Sequence, residues 1–268
     1  MEHLRWIILP ALGVLLLLSL CACFSRLFEV ASLTDSIIRY ENAGKYDKGN
    51  GSVSDAMEEL EINWIAGEVE LLPYDGDAVE FSETSEQEVK DAFVMRYRLE
   101  GKTLYLQYAK SGKWKFGKLS KNLTVRIPRE LRLSQIRIHT ISAQMQLSGL
   151  QTDTLKIETV SGNIRLDDGE AMNALSLETV SGKANLTMLR VADLNVNTVS
   201  GSVSVRTKIT RRAKLDSVSG DLSLFLPPDS SFSARVDTVS GSFNSDFETT
   251  ADGYQSDSSE SPRTERGR

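Results

Sequence analysis

Cysteine and histidine are scarce in this chain of 268 residues. The two cysteines, Cys21 and Cys23, lie near the amino terminus, and the two histidines are His3 and His139. The sequence after Cys23 therefore has no disulfide and no thiolate metal site. It also has no Gly-x-Ser-x-Gly elbow, no His-Glu-x-x-His and no phosphate-binding loop. We therefore expect a protein that is not an enzyme and that needs no cofactor or metal.

Charged residues are missing between Trp6 and Phe24, a run of 19 residues. This length suffices to cross a bilayer core of about 30 Å. The run is a retained transmembrane helix, a cleaved signal peptide, or a lipoprotein signal in which Cys23 of Leu20-Cys21-Ala22-Cys23 is lipidated. Each alternative predicts a protein of the cell membrane whose bulk is extracytoplasmic. That location and the net charge of −6 exclude nucleic acid as the expected partner.

One four-residue motif recurs along the chain: a hydroxyl residue, a β-branched residue, Ser, and then Gly or Ala. Six copies occur between Thr140 and Gly241. Their fourth residues are Ala143, Gly162, Gly182, Gly201, Gly220 and Gly241, so consecutive copies lie 19 to 21 residues apart. So short and regular a period is typical of a solenoid, in which each repeat forms one coil stacked on its neighbours.

Each coil carries apolar residues at matching positions. In one coil the expected inward residues are Leu155, Ile157, Val160, Ile164 and Leu166. Because the inward parity changes after Ile157, we expect two short strands per coil and a bend near Glu158-Thr159. The glycines should let neighbouring coils approach closely, and the Thr hydroxyls should form a ladder. The sequence predicts an all-β fold, a parallel β-solenoid; the alternative is an antiparallel sandwich with hairpins of equal length.

Five segments follow from these patterns. They are a transmembrane anchor or lipoprotein signal (1–25), a juxtamembrane stalk (26–57), a β section (58–133), the solenoid repeats (134–248) and a disordered polar tail (249–268). Within the β section, Glu61 to Leu71 reads as a degenerate coil, with Ile65-Ala66-Gly67 in place of Val-Ser-Gly. The later strands of this section should form a short antiparallel cap that starts the stack.

One outward position of the repeat is mostly acidic. Its residues are Glu158, Glu178, Asn197, Asp216 and Asp237. Since stacked carboxylates repel one another, this ladder either binds Ca²⁺ or is neutralised by Lys156, Lys214 and Arg235, each two residues before an acid. We favour neutralisation, because nothing resembles a glycine-rich calcium repeat.

Five lysines and two aromatic residues crowd one loop. They are Lys110, Lys113, Trp114, Lys115, Phe116, Lys118 and Lys121. Such a loop can contact an anionic surface, lipid headgroups or wall polymer, through the lysine charges while the rings insert at the interface. The alternative is an ordinary hairpin loop whose rings pack on the sheet.

Several motifs together resemble a bacterial family. They are the Thr-Val-Ser-Gly coils, the strand Trp64-x-x-Gly67-x-Val69, Phe81-Ser82-Glu83-Thr84 and Leu123-Thr124-Val125-Arg126-Ile127-Pro128. The family contains β-strand-repeat proteins of unknown function labelled "putative adhesin", LiaG-like envelope proteins among them. The resemblance runs from about Glu58 to Phe247 and implies a membrane-tethered, extracytoplasmic β-solenoid. It brings no catalytic residues, and the polar carboxyl end departs from members that continue into further coils.

The expected function is therefore a non-enzymatic binding or scaffold module of the bacterial envelope, with cell-wall polymer as a partner. One alternative is a regulatory partner of an envelope-stress signalling system, which would bind a membrane signalling protein. Another is a carbohydrate-active β-helix enzyme.

Overall fold

The computed structural model describes residues 37–54, 56–113 and 119–230, and toward the carboxyl end 232–236, 244, 246, 249–250 and 263–267. The expected anchor, 1–25, and the lipidation candidate Cys23 lie outside the described residues. Within the described part of the chain, no helix is long and apolar enough to cross a membrane.

The described secondary structure is almost entirely β, with two short 3₁₀ helices at Ala43–Lys45 and Asp91–Phe93. The strands are β1 (Asp47–Lys48), β2 (Gly51–Val53), β3 (Glu59–Tyr74), β4 (Val79–Thr84), β5 (Arg96–Glu100), β6 (Thr103–Gln107), β7 (Lys121–Pro128), β8 (Leu133–Ser148), β9 (Gln151–Thr159), β10 (Ile164–Thr179), β11 (Lys183–Thr198), β12 (Ser202–Ser217), β13 (Leu222–Phe225), β14 (Phe232–Val236), β15 (Thr249–Thr250) and β16 (Arg263–Gly267). Strands β1 to β13 share one sheet. The all-β prediction is confirmed.

A second compact unit comprises Phe225–Arg268. Its strands β14, β15 and β16 form an antiparallel sheet in which β16 pairs with both others. Strands β15 and β16 fall within 249–268, so part of the segment expected to be a disordered tail is paired.

The main sheet is a stack of parallel coils. Each coil has a first arm that ends at the Thr of the motif, a corner at the next two residues, and a second arm that begins at the Gly. One column in register contains Trp64, Thr140, Thr159, Thr179, Thr198 and Ser217. Because these residues pair in parallel at steps of one repeat, the predicted parallel stack is confirmed and the antiparallel sandwich is excluded.

The order of the coils in space differs from their order along the chain. Strand β3 pairs in parallel with β8 on one side and with β6 and β7 on the other. We therefore number β6 with β7 as coil 1, β3 as coil 2 and β8 as coil 3. Coil 4 combines β9 with the start of β10, and coil 5 combines the rest of β10 with the start of β11. Coil 6 combines the rest of β11 with the start of β12, and coil 7 combines the rest of β12 with β13. The sequence predicted that the strands after β3 form an antiparallel section, but β6 and β7 pair with β3 in parallel. They can do so because β4 and β5 return the chain to the start of β3 before β6 begins.

Antiparallel strands cover the outer edge of coil 1. Strand β5 pairs with β6 and β1 with β5, while β4 pairs with β7 and β2 with β4. The outermost strands have only two and three residues, and so short an edge limits pairing with other chains. Part of the expected stalk packs here as well, since β1 and β2 fall within it and Ile37 and Ile38 are buried.

The inside of each coil combines aliphatic side chains with the Thr hydroxyls. Leu155, Ile157, Ile164 and Leu166 are buried, but so is Thr159, whereas Val160 is only half-buried. The expected inward set thus differs at Val160: the alternation continues through Thr159, and the bend follows it. Thr159 is tolerated inside because its hydroxyl accepts a hydrogen bond from Thr140 Oγ1 at 2.8 Å and donates one to the Ser161 carbonyl at 2.9 Å.

Glycine is required where the second arm begins. Gly182 has φ +113°, and a Cβ there would lie 2.4 Å from the Gly162 carbonyl oxygen of the preceding coil. Gly162 and Gly220 show the same combination of positive φ and close approach. A side chain at these positions would strain the backbone and push two coils apart. Gly241 lies outside the described residues.

Candidate functional site

Outward side chains form two faces that differ in exposure. The first-arm face contains Arg137, Lys156, Ser176 and Asn195, and its side chains in coils 2 to 6 are half-buried or buried. The second-arm face of coils 3 to 6 is mostly exposed. Its exposed residues are Gln144, Gln146, Asn163, Arg165, Lys183, Asn185, Thr187, Ser202 and Arg206.

Ion pairs between coils occupy the first-arm face. Arg137 Nη2 lies 3.0 Å from Glu59 Oε2, and Arg137 Nε lies 2.9 Å from Glu61 Oε2. His139 Nδ1 lies 2.7 Å from Glu158 Oε2, and Lys156 contacts the same carboxylate. The hydrogen bond from His139, opposed by burial and assisted by Lys156, lowers the pKa of Glu158 to about 2. The charges of this face are therefore engaged within the protein.

The acidic row lies on this face in register. Glu158, Glu178, Asn197 and Asp216 are successive partners. Lys156 contacts Glu158, and Lys214 Nζ lies 2.9 Å from Asp216 Oδ2. These contacts favour neutralisation over Ca²⁺ binding. Among the residues that the structure describes, no group of three or more His, Cys, Asp or Glu side chains could hold a metal ion; Asp237 falls outside them.

Amide and hydroxyl groups predominate on the second-arm face. Gln146, Arg165, Asn185 and Ser204 form one row in register across coils 3 to 6. Arg165 Nε pairs with Asp167 Oδ2 at 2.5 Å, within its own strand. Strand spacing of about 4.8 Å repeats these polar groups regularly along the stack. This face can therefore form many equivalent hydrogen bonds with an extended partner.

The basic loop replaces the corner of coil 1. Gln107 is the register partner of Asn63, and Lys121 is the partner of Gly67. The chain between these two partners is thus 13 residues long in coil 1, whereas coil 2 has only Trp64, Ile65 and Ala66 there. Lys110 and Lys113 are exposed. The other loop candidates Trp114, Lys115, Phe116 and Lys118 lie outside the described residues.

Lys121 differs from the expectation of a surface contact. It faces inward at the glycine position of coil 1 and is fully buried. Its ammonium donates hydrogen bonds to Glu83 Oε2 (2.5 Å), the Phe93 carbonyl (2.6 Å) and the Tyr108 carbonyl (2.5 Å). Burial, opposed by the contact with Glu83, lowers the pKa of Lys121 to about 8. An ammonium enclosed in this way cannot reach an external anionic surface.

Aromatic rings complete the enclosure of Lys121. Its Nζ lies 4.2 Å from the centre of the Tyr108 ring and 4.9 Å from that of Trp64, distances typical of cation–π contacts. Trp64 Nε1 donates to the Lys121 carbonyl at 2.8 Å, and the Tyr108 hydroxyl donates to the Leu119 carbonyl at 2.7 Å. Both ends of the loop are thus held. Sequence reasoning missed this cluster, although the alternation of Lys121 with Leu123 and Val125 signals an inward lysine.

The chain enters the fold beside the same loop. The Tyr40 backbone N–H donates to Ser111 Oγ at 3.1 Å, and the Tyr40 hydroxyl donates to the Ala109 carbonyl at 3.0 Å. The Gly112 N–H donates to the Ile38 carbonyl at 2.9 Å. Nothing in the local sequence indicated this docking, which joins residues about 70 positions apart.

Parallel coils with a glycine column and an antiparallel cap define a β-solenoid repeat protein. The chain belongs to the Toastrack DUF4097 family, which matches residues 57–265. The family resemblance expected from the sequence is confirmed.

Two solved structures are similar to the chain at 12% sequence identity. A protein described as a putative cell adhesion protein from Clostridium sporogenes has a TM-score of 0.43, with 68% of this chain and 100% of that chain covered. A protein described as a putative adhesin from Bacteroides fragilis has a TM-score of 0.29, with 66% and 96% covered. No curated protein matches the chain significantly.

Proposed function

We propose that this protein is a non-enzymatic binding module of the bacterial envelope that is tethered to the membrane and binds cell-wall polymer through its second-arm face. The observation that carries the proposal is the difference between the two faces. The first-arm face uses its charges within the protein, whereas Gln144, Gln146, Asn163, Asn185 and Ser202 are exposed on the second.

The chemistry of the second-arm face suits a polymer rich in hydroxyl and acetamido groups. Amide side chains both donate and accept hydrogen bonds, and so do hydroxyls. Each single contact with a solvated partner is worth little, about 1 kcal/mol. A row that repeats such contacts at the strand spacing adds them along one polymer chain, since later contacts form at high effective concentration.

The tether is proposed from the apolar run between Trp6 and Phe24, which is long enough to span a bilayer. The non-enzymatic role is supported by how two ionisable pairs with little exposure are used. His139 and Glu158 bond to each other with Lys156 beside them, and Lys121 and Glu83 lie beneath a loop. Both pairs join neighbouring strands.

A photo-crosslinking amino acid at two positions of β11 tests the proposal in the full chain within its native envelope. Asn185 lies exposed on the second-arm face, and Asn195, the matched control, lies half-buried on the first-arm face. We expect adducts with cell-wall polymer from position 185 and few from position 195. A membrane sensor as the main adduct would favour the regulatory alternative. Equal adducts from both positions, or turnover of a polysaccharide by the purified protein, would contradict the proposal.

A further inference from the structure

We infer that the corner formed by residues 37–41 and 109–113, the anchor-side corner, rests on anionic lipid headgroups of the membrane that holds the amino-terminal segment. The inference rests on the proposed function, because it requires the membrane tether. It adds which surface of the module faces the bilayer and the chemistry of the lipid that this surface binds.

Hydrogen bonds and burial fix the point where the chain enters the fold. The carbonyl of Ile38 accepts from the Gly112 N–H, and Tyr40 bonds to Ser111 and Ala109. Ile37 and Ile38 are 3% and 8% exposed. The first residues that the structure describes are therefore held at one defined place, the base of the basic loop.

The segment between the apolar run and this corner is short. Only residues 25–36 separate Phe24 from Ile37. A fully extended chain of that length spans at most about 43 Å, and any other conformation is shorter. A tether of this length thus holds the anchor-side corner within about 43 Å of the apolar run.

The charge of the corner complements an anionic membrane. Arg39, Lys110 and Lys113 are exposed, and Glu41 is the acid among residues 37–41 and 109–113. The Lys113 N–H donates to the Lys110 carbonyl at 2.9 Å, and Gly112 at φ +74° closes this turn. Both lysines therefore leave the same turn. No acidic residue occurs between Gly101 and Arg129 in the sequence. The Lys110 N–H donates to the Ala92 carbonyl at 3.1 Å, and the neighbouring Asp91 is paired with Lys48 and Arg96. The two lysines therefore keep their attraction to anionic lipid.

Amine labelling of the full chain in vesicles tests the inference. The chain is reconstituted into phosphatidylcholine vesicles with or without phosphatidylglycerol, acetylated with an amine-reactive ester, and analysed by mass spectrometry. We expect labelling of Lys110 and Lys113 to slow by about fivefold in the anionic vesicles, the factor for one lysine near such a surface. Lys183 and Lys208, exposed lysines on the second-arm side of the repeats, should label equally in both.

Salt and tether length serve as further controls. Added salt should restore labelling of Lys110 and Lys113, because screening weakens surface electrostatics. Lengthening the 25–36 segment with Gly-Ser residues should also reduce their protection without changing the corner. Equal labelling in both vesicle types would overturn the inference. So would equal protection by soluble wall polymer without anionic lipid.

Flotation of the same samples distinguishes a failure of the corner contact from a failure of the proposed membrane tether. A chain that floats with both vesicle types but shows no lipid-dependent protection retains the proposed tether and refutes the corner contact. A chain that floats with neither type refutes the tether, and the inference falls with it.

Discussion

The first-arm and second-arm faces belong to the same coils but differ in how their polar side chains are paired and exposed. On the first-arm face, Arg137 bridges Glu59 and Glu61, and Glu158 accepts from His139 and Lys156. On the second-arm face, amides and hydroxyls predominate, and Arg165 pairs within its own strand. A stack in register places like residues next to one another, so charged rows need partners from neighbouring coils while uncharged rows do not. On the second-arm face, exposed amides and hydroxyls outnumber the charged residues Arg165, Lys183 and Arg206. Most of this face can therefore stay exposed and bind another molecule.

The largest expected effect separates the inside of the second arm from its outer face. Gly201→Val should destabilise the fold by about 3 kcal/mol, because overpacking separates two coils. A Cβ at Gly201 already lies 2.7 Å from the Gly182 carbonyl oxygen and 2.8 Å from Thr198 Oγ1. Ser202→Lys, at the neighbouring exposed position, should leave stability within about 0.5 kcal/mol. Equal melting temperatures for the two variants would refute this assignment of inward and outward sides.

The next effect concerns coil 1, where a lysine stands at the glycine position. Lys121→Met should cost about 3 kcal/mol in chemical denaturation, because it leaves the Glu83 carboxylate, 10% exposed, without its cationic partner. The double variant Lys121→Met with Glu83→Leu should recover most of that loss, since neither charge then remains buried. Lys110→Met, in the exposed part of the same loop, is the control. A double variant as unstable as the single one would show that packing rather than the ion pair stabilises this site.

A smaller effect compares one arginine from each face. Arg137→Met should cost about 2 kcal/mol, because it leaves two half-buried carboxylates beside each other. Arg165→Met should leave stability close to that of wild type, since its side chain is 69% exposed. Urea denaturation of both variants gives the comparison. Similar losses would mean that the faces do not differ in their use of charge.

The smallest effect is a pH dependence on the first-arm face. The pKa of Glu158 is about 2 in the fold against an ordinary 4.5, so the unfolded chain binds the proton first as pH falls. Its contribution is present above pH 4.5 and is lost between there and pH 2. After allowance for partial exposure we expect Glu158→Gln to be less stable than wild type by about 1–2 kcal/mol at pH 7 and nearly equal at pH 2. The same difference at both pH values would count against this coupling.

The repeat itself predicted most of the fold. The spacing of Gly162, Gly182, Gly201 and Gly220 indicated coils, and the pairing confirms them because each residue stacks on its counterpart one period away. Local alternation misplaced only the corner. Because Val160 is apolar, the sequence pattern predicted that its side chain faces inward. In the structure Thr159 is buried in its place, because its hydroxyl is hydrogen-bonded.

The candidate sites were harder to predict, because they depend on contacts between distant parts of the chain. In the sequence Lys121 is one of five loop lysines, and only the fold brings Glu83, 38 residues earlier, beside it. The reversal of coils 1 and 2 and the docking of Tyr40 on Ser111 likewise follow from the path of β4 and β5 and leave no local motif. The unequal exposure of the two faces also emerges only when the coils are stacked.

Binding of purified cell-wall polymer to two matched triple variants of the full chain tests the central claim most directly. One variant replaces the exposed Gln144, Asn185 and Ser202 of the second-arm face by Ala, and the other replaces the half-buried Ser176, Asn195 and Asn197 of the first-arm face. At about 1 kcal/mol for each lost hydrogen bond, the first variant should bind on the order of a hundredfold more weakly than wild type, while the second should bind like wild type. Equal weakening of both, or wild-type affinity in the second-arm variant, would contradict the account.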